Sequence, residues 1–357
     1  MSDTTTAEPR PSWVKVLGLS LGLPVIIGLM LFAFLAPSTA SGAKDLPLAI
    51  SAPEPVVTSM EDALNTQAPE AFEFSEMADA DEAQDSIMNR ETIGGIVVDP
   101  ATQITTIYTA TGNGAPYATM LNTMAQGMQA QGQNVVVEDL APLAENDPQG
   151  TGVALLGLPL AFGGMVSAVA LTFLLKNKPW HNLIGSLAVS FVGSLVVASI
   201  MHFGYDLFPE STNFWGVVGT IALGIAATSL VVTGLASLIG PAGLGIGAIL
   251  TIFVSNPLSG LSTGWWWLPS PWGAIGQYIP IGATGHLLRS DLFFDGQGGT
   301  PALWVLLTWT IIGAALIALS AVRLPRQEQC TGSCRLTCSI EKIRHNHQVE
   351  PDFLCAS

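Results

Sequence analysis

The charged residues that could do chemistry beside a membrane lie in the stretch 255–296. Arg289 stands in the sequence HLLRSDLFF, with Asp291 two positions later and Asp295 beyond it. Charged side chains in apolar surroundings are rare and often mark functional sites. Two interpretations stay open. The guanidinium faces an anionic headgroup or substrate, or it pairs with Asp291 or Asp295 and orients the stretch at the membrane interface, where arginine readily snorkels.

A polar break in an apolar segment opens the same stretch. The motif NPLSG at 256–260 forms this break, and its candidate residues are Asn256, Pro257, Ser259 and Gly260. Further prolines follow, and they cannot all lie in one straight helix because proline lacks an N–H donor and clashes with the preceding turn. Trp272 and the three consecutive tryptophans at 265–267 are of the residue type that settles at a membrane–water boundary.

We therefore expect residues 255–296 to form a broken, partly re-entrant hairpin at the outer membrane face, which we refer to as the hairpin. Irregular backbone survives at membrane depth only where protein buries it or where it lines a watery cavity. The hairpin is thus the predicted working surface of the protein. Its candidates for a substrate path are Asn256, Pro257, Ser259, Gly260, Trp272, Arg289 and Asp291.

Catalytic and metal-binding patterns are weak in this sequence. No paired-carboxylate site, Ser-His-Asp arrangement or nucleotide-binding loop is visible, so we expect neither an enzyme nor a bound cofactor. All four cysteines lie in the tail 326–357, where Cys330, Cys334 and Cys338 are spaced by four and would share one face of a helix. Because this spacing matches no zinc pattern, a metal site is the weaker alternative to reduced cytosolic thiols.

The composition indicates a membrane protein with an acidic insert. Of 357 residues, 49% are hydrophobic and 11% are charged, and the mean hydropathy is +0.48. A soluble protein usually carries about a quarter charged residues. Residues 44–147 contain 17 acidic and two basic residues, so this segment alone accounts for the net charge of −15. An acidic surface of this kind argues against a nucleic-acid partner.

The N-terminal region predicts a membrane anchor. Residues 1–12 are short and polar, and 13–36 contain a continuous apolar run of about the ~20 residues that a bilayer requires. Arg10 and Lys15 precede the run, so the N-terminus is expected in the cytoplasm. A cleaved signal peptide is the alternative, since the residues at 38–40 resemble a cleavage site. The length of the run favours an uncleaved anchor.

Residues 37–150 predict an extracellular acidic α/β domain. Short β-branched or apolar segments alternate with helical ones, which favours a mainly parallel sheet. One of the expected helices, 116–129, carries Met120, Met124 and Met128 at a spacing of four. Residues at that spacing share a helix face, so we interpret the methionines as the packing face of this helix.

Residues 151–325 predict a membrane domain of five further spans, with the hairpin between the last two. The expected spans are Val153–Leu175, Leu183–Gly204, Phe214–Leu238, Gly243–Val254 and Ala302–Val322. With the anchor, this gives a six-span helical protein of the plasma membrane. Basic residues flank one side of the spans, which places both termini in the cytoplasm. Lys176, Lys178 and Trp180 occupy a short inner loop that could dock a cytoplasmic partner, although the charge bias alone also explains them.

Several motifs together resemble one family. These are RETIGGIVV at 90–98, VEDLAPLAENDP at 137–148, NPLSG at 256–260, PWGAIG at 271–276 and LLRSDLFFDG at 287–296. Together with the order of anchor, α/β insert and five spans, they resemble actinobacterial permease-like proteins of the type-2 ABC transporter superfamily, including the YhgE/Pip branch.

The resemblance implies a permease fold that works with a separate cytoplasmic ATPase. It also implies a homodimer or heterodimer, and outward movement of an amphipathic or lipid-like substrate past the hairpin. Arg289 and the NPLSG residues fall on the hairpin motif of the family, and 176–182 falls where a coupling loop would lie. The alternative is a non-transporting envelope protein whose extracellular domain binds a wall component, a secretion partner or a phage.

Overall fold

A computed structural model of the protein describes residues 13–175 and 178–322. The described part of the chain starts with helix α1, Trp13–Ala40, so the expected anchor is helical and extends four residues beyond its expected end. The apolar window of α1 has none of its residues buried by the rest of the protein. Such a helix satisfies its backbone internally and exposes apolar side chains, which suits a lipid surrounding.

An α/β domain follows α1 and alternates strands with helices as the sequence predicts. Its elements are β1 (Leu46–Ser51), α2 (Glu54–Gln67), β2 (Phe72–Glu76), α3 (Ala80–Met88), β3 (Gly94–Asp99), β4 (Ile104–Thr109), α4 (Ala115–Ala130) and β5 (Val135–Asp139). The five strands form one sheet in the order β2-β1-β3-β4-β5.

Three of the four strand pairs are parallel, and β3 with β4 is the antiparallel one. The connection between β3 and β4 covers only residues 100–103, which is too short for the crossover that a parallel pair needs. Asp99 tightens this connection, since its carboxylate accepts hydrogen bonds from Ala101 N–H at 2.8 Å and Thr102 Oγ1 at 2.7 Å. The mainly parallel sheet of the sequence prediction thus contains one antiparallel strand pair.

The two faces of the sheet have different covers. One face buries Leu46, Leu48, Ile96 and Ile107, against which α2 and α4 pack. The opposite face carries a second cluster that includes Ile87 of α3 and Phe294, which comes from the hairpin, far away in the chain. Because successive side chains of a strand point to opposite faces, both faces of this sheet need such a cover.

The remaining described helices form a membrane bundle. They are α5 (Thr151–Leu155), α6 (Gly157–Leu174), α7 (Pro179–Ser199), α8 (Phe214–Ile239), α9 (Pro241–Ala248), α10 (Trp272–Gln277), α11 (Pro280–Phe293) and α12 (Thr300–Val322). Within residues 13–175 and 178–322, five helical stretches are long and apolar enough to cross a membrane: Val16–Ala40, Thr151–Leu174, Pro179–Gly204, Phe214–Ile239 and Thr300–Val322. The protein is therefore a multi-pass helical membrane protein.

Helix α8 is the centre of the bundle. Its apolar window is 72% buried, against at most 39% for the other candidate spans. Glycines allow the neighbouring helices to approach it closely: Gly164 of α6 faces Thr228, and Gly313 of α12 faces Leu230. Close contact through small residues is a common way for helices to associate in lipid, where apolar burial between helices gains little.

The expected fifth crossing is shorter than the others. Helix α9 continues as a π-helical turn, Ile249–Ser255, and the combined apolar stretch Pro241–Ser255 is 15 residues long. Beyond it the backbone is irregular, apart from a 3₁₀ turn at Trp265–Trp267, until α10 and α11 begin. Residues 255–296 are therefore not one continuous helix, which agrees with the number of prolines in this stretch.

Candidate functional site at the junction of the α/β domain and the hairpin

The NPLSG residues form one tight turn at the end of α9. Ser259 Oγ donates a hydrogen bond to the carbonyl of Asn256 at 2.7 Å. Gly260 has φ +64°, a left-handed conformation that glycine adopts without steric cost, and its Cα faces the backbone of Trp265. The turn brings together Asn256, Pro257, Ser259 and Gly260, as the motif suggests, and it is packed against α10 and α11.

The same turn is tied to the start of α11. Ser255 Oγ accepts the N–H of Ile281 at 3.1 Å. The first N–H groups of a helix have no partner within that helix, and Pro280 at the first position has no N–H at all. The hydroxyl of Ser255 therefore caps α11 and joins the end of one helix to the beginning of another.

Arg289 connects this turn to the α/β domain. It lies in α11 and only 4% of its surface is exposed. Its Nη2 donates to the carbonyl of Leu261 at 2.6 Å, and its Nη1 donates to the carbonyl of Gly112 at 2.9 Å. The buried guanidinium thus donates its hydrogen bonds to backbone carbonyls of the protein. In this structure it is neither exposed to a headgroup nor paired with Asp291 or Asp295, so both expected interpretations are wrong for it.

Arg90, which is not among the candidates predicted from the sequence, lies beside Arg289 at the same junction. It lies at the end of α3, is 6% exposed, and has φ +59°. Its Nη1 donates to Ser290 Oγ at 2.9 Å and to the carbonyl of His286, while its Nε donates to Asn113 Oδ1 at 3.2 Å. A usable signal existed in the sequence, because Arg90 is one of only two basic residues in an acidic segment.

The electrostatics of this junction are unusual because its two buried cations bind neutral groups. Burial, together with the charge of Arg289, lowers the pKa of Arg90 to about 9, so Arg90 remains protonated at neutral pH. The face of the Phe294 ring lies 5.2 Å from the Arg90 guanidinium and partly compensates its charge. Hydrogen bonds from a charged donor are stronger than neutral ones, so these contacts fix the α/β domain on α11.

A second contact joins the domain to the tryptophans of the hairpin. The Tyr117 hydroxyl accepts the N–H of Trp267 at 2.9 Å, and burial raises the pKa of Tyr117. The Tyr117 ring meets the rings of Trp266 and Trp267 edge-on, with centroids 6.4 Å and 5.7 Å away. These two tryptophans therefore pack under α4, whereas their residue type predicts a position at a membrane–water boundary.

The other hairpin candidates lie apart from the two arginines. The carboxylate of Asp291 accepts a hydrogen bond from Thr220 Oγ1 of α8, which anchors α11 to the central helix. Trp272, on α10, is 52% exposed and is the hairpin tryptophan that most resembles a membrane-interface residue. The predicted substrate-path residues therefore do not form one site. The NPLSG residues form a turn, Arg289 and Asp291 hold α11 in place, and Trp272 is exposed.

The expected docking residues lie at the opposite end of the bundle. Lys178 precedes α7 and is exposed, and Trp180 in the first turn of α7 is 58% exposed. Lys176 and the tail cysteines Cys330, Cys334 and Cys338 lie outside the described residues. Among residues 13–175 and 178–322, no group of three or more His, Cys, Asp or Glu side chains could hold a metal ion.

This chain was compared with protein-family models, curated proteins and solved structures. No family model, curated protein or solved structure matches this chain. The resemblance to type-2 ABC permeases therefore remains a hypothesis drawn from the motifs.

Proposed function

We propose that the protein is an integral membrane permease-like subunit of a type-2 ABC exporter, which moves an amphipathic or lipid-like substrate outward with a separate ATPase. The observation that carries this proposal is the interrupted helix that ends at Ser255. Transporters commonly build their substrate sites from discontinuous helices, because irregular backbone within a membrane domain needs protein or a watery cavity around it.

A polar face along α7 supports the same proposal. Asn182, Ser186, Ser190 and Ser194 recur at every fourth residue and are all buried in the bundle. The hydroxyls of Ser186 and of Ser229 in α8 are buried and have no hydrogen-bond partner within the described part of the chain. Buried polar atoms normally find a partner, so this face suits a path for polar groups. Asn182, at one end of this face, also lines a cavity of about 400 Å³.

The proposed orientation follows from the flanking charges. With six crossings, Lys178 and the N-terminal basic residues lie in the cytoplasm of a plasma-membrane protein, and the acidic α/β domain lies outside. The exposed side chains of Lys178 and Trp180 then form the surface for the ATPase. A second permease chain, either another copy or a different subunit, completes the assembly.

The experiment that tests this proposal compares two exposed tryptophans. Trp180 and Trp215 are 58% and 64% exposed and lie at opposite ends of the bundle. We expect the full-length protein to co-purify with an ATPase, and Trp180→Ala combined with Lys178→Glu to abolish the co-purification. The matched variant Trp215→Ala should retain it. Loss of the ATPase with Trp215→Ala alone, or full cellular function in a strain without any partner ATPase, would contradict the proposal.

One observation favours a second candidate, the non-transporting envelope protein. Helix α6 ends at Leu174 and α7 begins at Pro179, so 179–182 of the expected coupling loop 176–182 belong to α7 and only 175–178 lie between the two helices. A loop this short offers an ATPase little surface. The second candidate predicts that a fluorescent lipid analogue stays on its side of the bilayer in proteoliposomes containing the protein, the ATPase and ATP. The permease proposal predicts ATP-dependent movement of that analogue.

A further inference from the structure

A cavity lies at the end of the membrane bundle that is opposite to the α/β domain. Its volume is about 400 Å³, and helices α6, α7, α8, α9 and α12 all contribute residues to its lining. Pockets that bind small molecules usually measure about 300–1,000 Å³, so a small ligand or the head of a larger one fits here. The polar residues that line the cavity are Thr172, Lys178, Asn182, Ser237 and Ser320.

Two of these polar side chains are buried and have no partner. Asn182 is 4% exposed, and neither its Oδ1 nor Thr172 Oγ1 makes a hydrogen bond within residues 13–175 and 178–322. Other hydroxyls of the bundle donate to a carbonyl of their own helix, as Ser320 does to Ile317 at 2.6 Å. Buried polar groups of native proteins nearly always have a partner. Thr172 and Asn182 are therefore available to a ligand in the cavity.

The charges near the cavity favour an anion as this ligand. Among the described residues that line it, Lys178 alone is charged. The acidic residues of 151–175 and 178–322 lie far from it, in the connection from the end of α7 to the start of α8 and at the end of α11: Asp206, Glu210, Asp291 and Asp295. A cation would therefore meet an ammonium group with no carboxylate nearby to offset the repulsion.

The hydrogen-bonding groups of the cavity suit the oxygens of a phosphate group. Lysine is a common phosphate ligand, and its ammonium acts as a point charge. The Thr172 hydroxyl is a donor, and the Asn182 amide presents its NH₂ group when it turns about its terminal bond. Helix α7 begins at Pro179 in the lining of the cavity, and the first N–H groups of a helix have no acceptor within that helix.

We propose that this cavity binds a negatively charged phosphate group, which belongs either to a lipid headgroup or to a soluble phosphate compound. Lys178, Thr172 and Asn182 contact its oxygens. Phe173 also lines the cavity and is 57% exposed on a candidate membrane span, so a lipid can reach the cavity from the side of the bundle. The proposal concerns binding alone and does not rest on permease activity, because its test needs neither ATP nor an ATPase.

The test measures lipid binding to the full-length protein in a non-ionic detergent. Native mass spectrometry gives the Kd of dioleoyl phosphatidic acid and of dioleoylglycerol, which has the same chains and no phosphate. We expect phosphatidic acid to bind about tenfold more tightly or better. Displacement by inorganic phosphate would support a site for the phosphate group alone, and binding that phosphate does not displace would support a lipid headgroup. Equal affinity for the two lipids would overturn the proposal.

Two variants locate this binding in the cavity. Thr172→Val removes an unpaired hydroxyl at nearly constant volume, so it should not destabilise the protein. Lys178→Gln removes the charge at an exposed position. We expect each variant to weaken phosphatidic acid binding by about tenfold. The same changes outside the cavity, Thr308→Val and Lys44→Gln, are the controls and should bind as the unaltered protein does. Equal losses in the variants and their controls would disprove the site.

An alkali cation is the competing ligand, since hydroxyl oxygens also bind cations. Deeper in the bundle, the buried hydroxyls of Ser186, Ser229 and Thr233 lack partners within the described ranges as well. Thermal stabilisation by sodium or potassium chloride but not by phosphatidic acid, with loss of the effect in Thr172→Val, would overturn the proposal in favour of a cation. Thr172→Val should still co-purify with the ATPase, so failure of phosphate binding and failure of the proposed function are separate results.

Discussion

Arg289 and Arg90 cross the junction between the bundle and the α/β domain in opposite directions. Arg289 of α11 donates to Gly112 of the domain at 2.9 Å, and Arg90 of the domain donates to Ser290, the residue that follows Arg289, at 2.9 Å. The two guanidiniums therefore clamp the same interface from both sides. Any movement of the hairpin must move the α/β domain with it or break both sets of hydrogen bonds.

Arg289→Gln should loosen this clamp. The shorter neutral side chain leaves the carbonyls of Gly112 and Leu261 without their donor, and each buried unpaired acceptor costs about 1–3 kcal/mol. We expect thermal unfolding in detergent to shift to lower temperature and hydrogen exchange to rise around Gly112. Lys44→Gln is the control, because the exposed Lys44–Glu70 ion pair should contribute nothing measurable. Unchanged exchange around Gly112 in Arg289→Gln would contradict the clamp.

Tyr117→Phe should detach the tryptophans from α4. The substitution leaves the Trp267 N–H without an acceptor, at a cost of about 1–3 kcal/mol. Tryptophan fluorescence should shift to the red because water gains access to Trp266 and Trp267. Tyr108→Phe is the matched control, since the Tyr108 hydroxyl accepts from Gln84 Nε2 at 3.0 Å in a part-buried hydrogen bond that involves no tryptophan. A red shift of equal size in the control would show that the contact is not specific.

Gly224→Ala should separate α8 from α11. A Cβ at Gly224 collides with the side chain of Thr284, and overpacking of this kind usually costs about 1–3 kcal/mol. Thr284→Ala removes the two closest atoms, so we expect it to restore stability in the double variant. Gly219→Ala, on the same helix, meets nothing within 4 Å and should be neutral or slightly stabilising. Thermal unfolding of the four variants in one detergent measures these differences.

Asp147→Ala should weaken the connection between the domain and the bundle. Its carboxylate accepts from the N–H groups of Thr151 and Gly152, at 2.8 Å and 2.7 Å, and so caps the first turn of α5. Loss of such a cap costs about 1–2 kcal/mol. Glu145→Ala, at an exposed neighbouring position, is the control. Hydrogen exchange at residues 151–156 should rise in Asp147→Ala and stay unchanged in Glu145→Ala.

Local patterns explain most of what could be predicted. The apolar runs gave the long helices to within a few residues, because crossing a bilayer requires a continuous apolar stretch that hydropathy detects directly. The strand and helix alternation was recognisable because each segment carries its own periodicity. The break after Ser255 was predictable because proline acts on its own and the preceding turn.

The partners of charged residues could not be predicted in the same way. The sequence suggested Asp291 for Arg289 because the two are neighbours in the chain. The structure instead supplies a carbonyl 177 positions away, and Asp291 turns to Thr220 in α8. Every residue has a backbone carbonyl, so the residue type at positions 112 and 261 does not show that these carbonyls accept hydrogen bonds from Arg289.

The sequence by itself determined which segments are helical and apolar, which are strands, and where the membrane helices are interrupted, since these properties depend on residues close together in the chain. Only the tertiary structure decided that two buried arginines join the α/β domain to the hairpin and that two tryptophans pack under α4. Each of these features depends on the packing of elements that are distant in the chain, and the free energy of that packing is shared among many contacts instead of being encoded in any one segment.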